Sequence, residues 1–295
     1  MNRRTFITSL AGLSAAALGT AAYALVIEPE FMLQIVSYKF TPPNWTPGLK
    51  IRAVLLADPH VVEPHLPLAR WQNIVMAANQ LEPDLILMLG DYVSGIHFRT
   101  GTVPIAETAR VAAMAKAPLG VFSINGNHDW WGDVHAFRTR SGPPQAEIEF
   151  AKAGIPVLSN KAVRLAKNGQ PFWVSGTDSM LAYWVGSKRT LGADDITATL
   201  AQITDDAPII HMAHEPDLFV KIPDRISVTV CGHTHGGQLR VFGYSPVVPS
   251  SYGNRFAYGH VIENGRHLVV SGGLGVSTIP LRFGVPPEIT VLELG

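Results

Sequence analysis

Val121-Phe122-Ser123-Ile124-Asn125-Gly126-Asn127-His128-Asp129 begins as a short apolar run and ends in a glycine flanked by amides, an imidazole and a carboxylate. A run of this length without charge reads as a buried strand, and Gly126 marks the turn that ends it. The same change of character recurs on both sides. Upstream, Leu49 to Ala57 is strongly apolar and turns polar at Asp58-Pro59-His60, and Leu85 to Leu89 ends at Gly90-Asp91. Downstream, Pro208 to Ile210 and Ser227 to Cys231 both end in histidine-rich segments. Between the first two runs, Pro67 to Gln80 carries Leu68, Trp71, Ile74, Val75 and Ala78 at helical spacing. Open α/β sheets gather the loops at the carboxyl ends of their strands into one crevice, so five separated polar clusters can meet there. Composition alone says α/β or α+β. Val163 to Leu165, Phe172 to Gly176, Leu268 to Ser271 and Ile289 to Leu294 are shorter runs with few long helical patterns among them, which predicts more antiparallel pairing in the second half.

The chain has 295 residues, 47% of them hydrophobic, enough for one large core. Lys plus Arg and Asp plus Glu are 23 each, so no basic field advertises a nucleic acid polymer as partner. The single cysteine, Cys231, excludes an internal disulfide and sits in an apolar run as a strand thiol. At the start, Asn2-Arg3-Arg4-Thr5-Phe6-Ile7 precedes an uncharged stretch from Phe6 to Ile27, the pattern of a twin-arginine export signal. Ala22-Tyr23-Ala24 offers a small-residue cleavage pattern, and the abundance of Ala, Gly, Ser and Thr weakens the stretch as a permanent span. Residues 1–30 are thus expected to be a signal or membrane anchor that engages the twin-arginine translocation machinery. Residues 31–48 are a linker, because Pro42, Pro43, Pro47 and Gly48 disfavour regular structure, and 49–295 form the domain. The expected location is the periplasm or the outer face of the cytoplasmic membrane. The alternative is a membrane-associated protein facing the cytoplasm.

The strand ends collect Asp58 and His60, Asp91, Asn127 and His128, His211 and His214, and His233 with His235. Imidazole mixed with carboxylate suits manganese, zinc or iron better than magnesium, which prefers an all-oxygen shell. A mononuclear hydrolytic zinc site takes three protein ligands, so this inventory is too rich for one ion and about right for two sharing a carboxylate. Each motif alone is short enough to be an ordinary turn; their recurrence at successive strand ends gives them weight.

In these motifs the chain resembles the calcineurin-like metallophosphoesterase family. Asp58-Pro59-His60 matches its Asp-x-His element, Gly90-Asp91 its Gly-Asp element, Gly126-Asn127-His128-Asp129 its Gly-Asn-His-Asp/Glu element, and Gly232-His233-Thr234-His235 its Gly-His-x-His element. Gly236-Gly237-Gln238, Trp130-Trp131 and Gly284-Val285-Pro286-Pro287-Glu288 are similar to an exported or membrane-attached bacterial branch often labelled with UDP-2,3-diacylglucosamine hydrolases. The resemblance implies a two-sheet β-sandwich flanked by helices, in four αββα layers. It implies that Asp58, His60, Asp91 and His235 hold one divalent ion and Asp91, Asn127, His214 and His233 the other. His211 would then be a strand or supporting residue. His128 would be catalytic, donating to the phosphoryl group or the leaving oxygen, with Asp129 orienting its ring.

The reaction so implied is hydrolysis of a phosphodiester or related phosphate ester, lipid-linked or nucleotide-linked, by hydroxide activated between two metals. UDP-2,3-diacylglucosamine pyrophosphatase of lipid A biosynthesis is the alternative, and it conflicts with export because that substrate is cytoplasmic. A non-catalytic metal-binding scaffold is a rival of another class. Met180 to Val185, with Tyr183 and Trp184, is the expected apolar lip over the site.

Overall fold

In the computed structural model, which describes residues 3–185 and 189–295, the apolar runs become strands. In chain order these are β1 (Gln34–Phe40), β2 (Ile51–Leu56), β3 (Val62–Glu63), β4 (Leu85–Met88), β5 (Gly101–Thr102), β6 (Val121–Ser123), β7 (Lys161–Lys167), β8 (Gln170–Gly176), β9 (Tyr183–Val185), β10 (Arg189–Leu191), β11 (Ile209–Met212), β12 (Val228–Cys231), β13 (Gly259–Glu263), β14 (Arg266–Val270) and β15 (Glu288–Leu294). Two large sheets result, one in the order β1-β15-β2-β4-β6 and the other β13-β14-β12-β11-β8-β7.

Their inner faces meet in one core, where Ala53, Leu55, Leu87 and Phe122 oppose Val174, Ile210, Met212, Val228 and Val230. The alternate residues of the same strands, Val54, Leu56, Ile86 and Met88, point the other way. There they bury Trp71, Ile74 and Val75 of a helix at Leu68–Gln80 and Phe150 of one at Gln145–Lys152. Burial on both faces explains why these strands read as continuous apolar runs rather than alternating ones. The outer face of the second sheet, with Trp173, Ile209, Cys231 and Leu268, is covered by Leu218 and Phe219 of a 3₁₀ turn at Pro216–Lys221 and by the short helix Ile196–Leu200. This is a mixed α/β fold of two sheets flanked by helices.

The second half carries the greater share of antiparallel pairing, at β7–β8, β9–β10 and β13–β14, but the centre of its large sheet is parallel, at β8–β11, β11–β12 and β12–β14. The crossovers are made by loops and short turns, which removed the long helical patterns that usually betray a parallel sheet. The stretch 31–48 is also not only a linker, because β1 pairs in parallel with β15 along its whole length.

The N-terminal segment likewise joins the domain. A helix at Arg3–Ala22 runs into a π-helical turn at Tyr23–Phe31, in which Ala24, Glu28 and Pro29 are buried. Asn2 of the twin-arginine-like motif lies outside the described residues. Among the described residues no helix is long and apolar enough to cross a membrane.

Candidate metal centre

The parallel strands β2, β4 and β6 end side by side, and β11 and β12 end beside them in the other sheet. Asp58 and His60 follow β2, Asp91 follows β4, Asn127 and His128 follow β6, His214 follows β11, and His233 and His235 follow β12. All except His128 are almost wholly buried. Five of them, Asp58, His60, Asp91, His233 and His235, have φ between 42° and 71°, in the left-handed region. Aspartate and histidine visit it more readily than most residues, and such strain gathers at functional sites. The turn lets each chain reverse immediately after its strand, so a side chain at the strand end aims back over the edge of the sheet.

The donor atoms converge in three overlapping groups, Asp58 with His60 and His235, His60 with Asp91 and His128, and Asp91 with His214 and His233, each within 4.8 Å. Asp91 Oδ2 lies 3.4 Å from His60 Nε2 and 3.3 Å from His214 Nε2, a central position between the groups. Asn127 Oδ1 is 2.9 Å from His233 Nδ1. Carbonyls accept only, so His60 Nδ1–H donates to Val93 O (2.9 Å) and His214 Nδ1–H to Leu89 O (2.6 Å), which aims both Nε2 atoms into the site. His214 Nε2 is buried and makes no well-aligned hydrogen bond; its neighbour is Asp91 Oδ2 at 3.3 Å. His60 Nε2 and His235 Nε2 stand 3.2 Å apart and share one proton. Buried ring nitrogens crowded together beside two carboxylates are the arrangement a divalent cation satisfies.

Protonation tells the same story. Burial pushes Asp58 up to about 7, with Asp91's charge adding to it. Burial also pushes His60 down to about 4 and His233 to about 3, and drives His235 well below the usual range. For Asp91 burial acts upward, but the charges of His214 and His128 more than offset it and hold the carboxyl well below its usual range. For His214 burial acts downward, and Asp91, then Glu215 and Asp58, overcome it and hold the ring well above its usual range. Protons on His214 and Asp58 thus stand where cations would relieve two buried carboxylates.

His128 stands at the rim of this cluster. Its backbone N–H donates to Asp91 Oδ1 (2.8 Å), and its ring packs edge-on against His60 (4.9 Å) and tilted against Trp131 (4.9 Å). On its other side lies Gly95, where a Cβ would stand 2.5 Å from His128 Cε1 and 2.6 Å from Nδ1. The expected Asp129–His128 contact is not what Asp129 makes. Its carboxylate accepts the backbone N–H groups of Asp91, Tyr92, Val93 and Gly126 at 2.8–3.1 Å, so it shapes the two loops that carry Asp91 and Asn127. His211 lies inside β11 with Nδ1 against Ser175 Oγ, outside the three donor groups.

Above the donors opens a cavity of about 430 Å³, floored by Asp91, Asn127, His128, His233 and His235 and walled by Leu239, Val247, Ile279 and Leu281. This wall leaves no pattern in the sequence, because its apolar residues are scattered among Pro246, Pro249 and Gly237 with no period. Asp217 anchors it by accepting from Ser250 Oγ and Ser251 N. The expected lip at Met180–Val185 reaches the site at one remove: Trp131 donates to Leu181 O and packs at a tilt against Trp184 (5.4 Å), while Trp130 is buried against Tyr183. Arg282, fully buried and donating to His235 Nδ1 (3.2 Å), also went unread; burial lowers it to about 10, still a cation at neutral pH.

The calcineurin-like phosphoesterase family matches residues 51–237, a span that contains all five strand-end clusters from Asp58 to His235. The chain belongs to this family. The calcineurin-like phosphoesterase described here is 28% identical over 306 residues to an uncharacterized metallophosphoesterase, YkuE, of Bacillus subtilis strain 168, covering 100% of this chain and 98% of that one. It is 28% identical over 304 residues to the phosphodiesterase YaeI of Escherichia coli K12, covering 100% and 99%. A metallophosphoesterase of Aquifex aeolicus is 23% identical over 270 residues, covering 90% and 92%. The calcineurin-like phosphoesterase is therefore a metal-dependent hydrolase of phosphate esters, and the scaffold reading falls away.

Proposed function

We propose that the protein hydrolyses phosphodiesters with two divalent ions, one held by Asp58, His60, Asp91 and His235 and the other by Asp91, Asn127, His214 and His233. The observation that carries this is the convergence of seven buried donors, four of which, Asp91, Asn127, His233 and His235, reach the floor of an apolar cavity. When bound, the ions lower the pKa of the attacking water and offset charge on the phosphoryl oxygens. Manganese, zinc and iron suit the mixed nitrogen and oxygen set.

The protein's own groups supply the rest. Asp91 sits between the two donor groups and fixes their separation. His128 faces the cavity; burial lowers its pKa, so at neutral pH the ring N–H donates a hydrogen bond to a phosphoryl oxygen, and the substrate's negative charge favours its protonation for transfer to the leaving oxygen. Leu239, Val247, Ile279 and Leu281 exclude water and favour an apolar substituent on the ester, as in a lipid-linked diester. Similarity to YaeI along the whole chain supports a diester. Arg3-Arg4 before an uncharged stretch supports export by the twin-arginine machinery and work in the periplasm or on the outer face of the cytoplasmic membrane. The apolar wall also favours a second reading, the pyrophosphate bond of UDP-2,3-diacylglucosamine, which requires a cytoplasmic-facing domain.

The test is hydrolysis of a chromogenic phosphodiester by the full chain reconstituted with manganese or zinc, beside His128→Ala and Asp91→Asn. Metal-dependent turnover that collapses in both variants is expected. Two ions bound without turnover of any diester would overturn the diester reading and leave the nucleotide-linked pyrophosphate as the next substrate; one ion per chain would sink the dinuclear site.

A further inference from the structure

Glu28 is the first charged residue after the uncharged stretch, within the segment expected to be only a signal or anchor, yet its exposure is 0%. A buried carboxylate must be matched by donors. It accepts the backbone N–H groups of Val285 (2.8 Å) and Gly284 (3.0 Å). The same loop contains Arg282, whose backbone N–H donates to Ala24 O (2.9 Å), so the loop is tied twice to the N-terminal turn.

From that loop the contacts run straight into the metal centre. The Arg282 guanidinium donates to Val285 O (2.9 Å), Gly272 O (2.9 Å) and Gly275 O (2.5 and 2.9 Å), and from Nη2 to His235 Nδ1 (3.2 Å). Gly275 N in turn donates to Asp58 O (2.8 Å). Two residues at one corner of the donor cluster, Asp58 and His235, therefore rest on a network whose far end is Glu28. The planar guanidinium fixes the His235 ring so that Nε2 faces His60, and the Glu28 carboxylate fixes the loop that presents the guanidinium.

We propose that Glu28 is a positioning residue for the Asp58–His60–His235 corner, acting through Arg282 on the His235 ring, so that the turn preceding β1 is a working part of the metal centre. This rests on the two-ion reading above. Partners behind a ligating histidine commonly change metal affinity by about 10–100-fold when lost. Because the path reaches one corner only, the loss falls on one ion and spares the one at Asn127, His214 and His233.

The experiment titrates Mn²⁺ into the metal-free full chain and reads each position's occupancy by anomalous diffraction at limiting metal, for the unaltered protein, Glu28→Gln and Glu30→Gln. Glu30 lies in the same turn but meets His65 instead. Glu28→Gln keeps the size and turns an amide N–H against one of the two backbone donors. About tenfold weaker binding at the Asp58–His60–His235 position, an unchanged second position and an unchanged Glu30→Gln are expected. In an Arg282→Lys background Glu28→Gln should then add nothing. Unaltered occupancy at both positions, or equal weakening at both with a lower Tm, would overturn the proposal and leave Glu28 a simple brace. Failure of the unaltered protein to bind two ions would instead overturn the two-ion reading itself. If glutamine prevents folding, Glu28→Asp, which retracts the charge by one methylene, carries the same comparison.

Discussion

Replacing Gly95 with alanine should disable the chemistry while sparing the metal centre. Gly95 is not in the left-handed region, so alanine adds no backbone strain. Its Cβ, however, would stand 2.5 Å from His128 Cε1 and 2.6 Å from Nδ1. Ordinary carbon contacts begin near ~3.5 Å, so the ring has to retreat by roughly 1 Å. A catalytic group misplaced by about 1 Å costs on the order of 10²-fold in rate. Gly95→Ala should therefore lower kcat about a hundredfold on a chromogenic diester, with metal content and Tm near those of the unaltered protein. The loss must not exceed that of His128→Ala, and Gly95→Ala should add nothing in a His128→Ala background, because the ring it displaces is gone. Unchanged kcat in Gly95→Ala, beside a collapse in His128→Ala, would refute the reasoning: the 94–97 loop would have yielded instead of the ring.

Asp129→Asn leaves two of four backbone N–H groups without a good acceptor, so it should destabilise by roughly 2–6 kcal/mol, read as a lower Tm. An unchanged Tm with lost turnover would restore the orienting role expected from the sequence. Asp58, with a pKa near 7 in the metal-free protein, is protonated at pH 6 and ionised at pH 8, whereas His214 surrenders its proton at both and the neutral His60–His235 pair releases none at either. Metal binding should thus release about one more proton at pH 6 than at pH 8, and affinity should rise with pH more steeply below 7 than above it. Calorimetry in buffers of different ionisation enthalpy measures this, and equal release at both pH values would show that Asp58 is ionised throughout. Val247→Asp, on the cavity wall, should raise KM on the order of tenfold for diesters bearing a long alkyl group and leave a short aryl diester unchanged; equal effects on both would remove the apolar subsite.

The strands and the meeting of the donor side chains at their ends were legible for one reason. A strand buried on both faces is an unbroken apolar run, and the aspartates and histidines that follow it tolerate the left-handed turn the site demands, so chemistry and punctuation coincide in the sequence. β1 was illegible because Gln34 to Phe40 alternates half-buried with exposed positions and gains its place only by pairing with β15. Asp129 was misread because its partners are backbone amides, which no side-chain pattern reveals. Glu28 and Arg282 are single charges in irregular segments for the same reason. The apolar wall has no period because it is built from loops.

The position of β15 bears on how the molecule assembles. It lies between β1 and β2, and Gln34 meets Glu288 across 254 residues of chain. Closing so long a loop is entropically expensive and slow, so β1 stays an open edge until nearly everything that follows it has been made. With it waits the turn that carries Glu28. During that interval the corner of the donor cluster at Asp58 and His235, which that turn reaches through the loop of Arg282, is still incomplete. Metal acquisition is then a late event, coupled to closure of the first sheet, and a refolding protein should gain its ions in step with β1–β15 pairing rather than with collapse of the central strands.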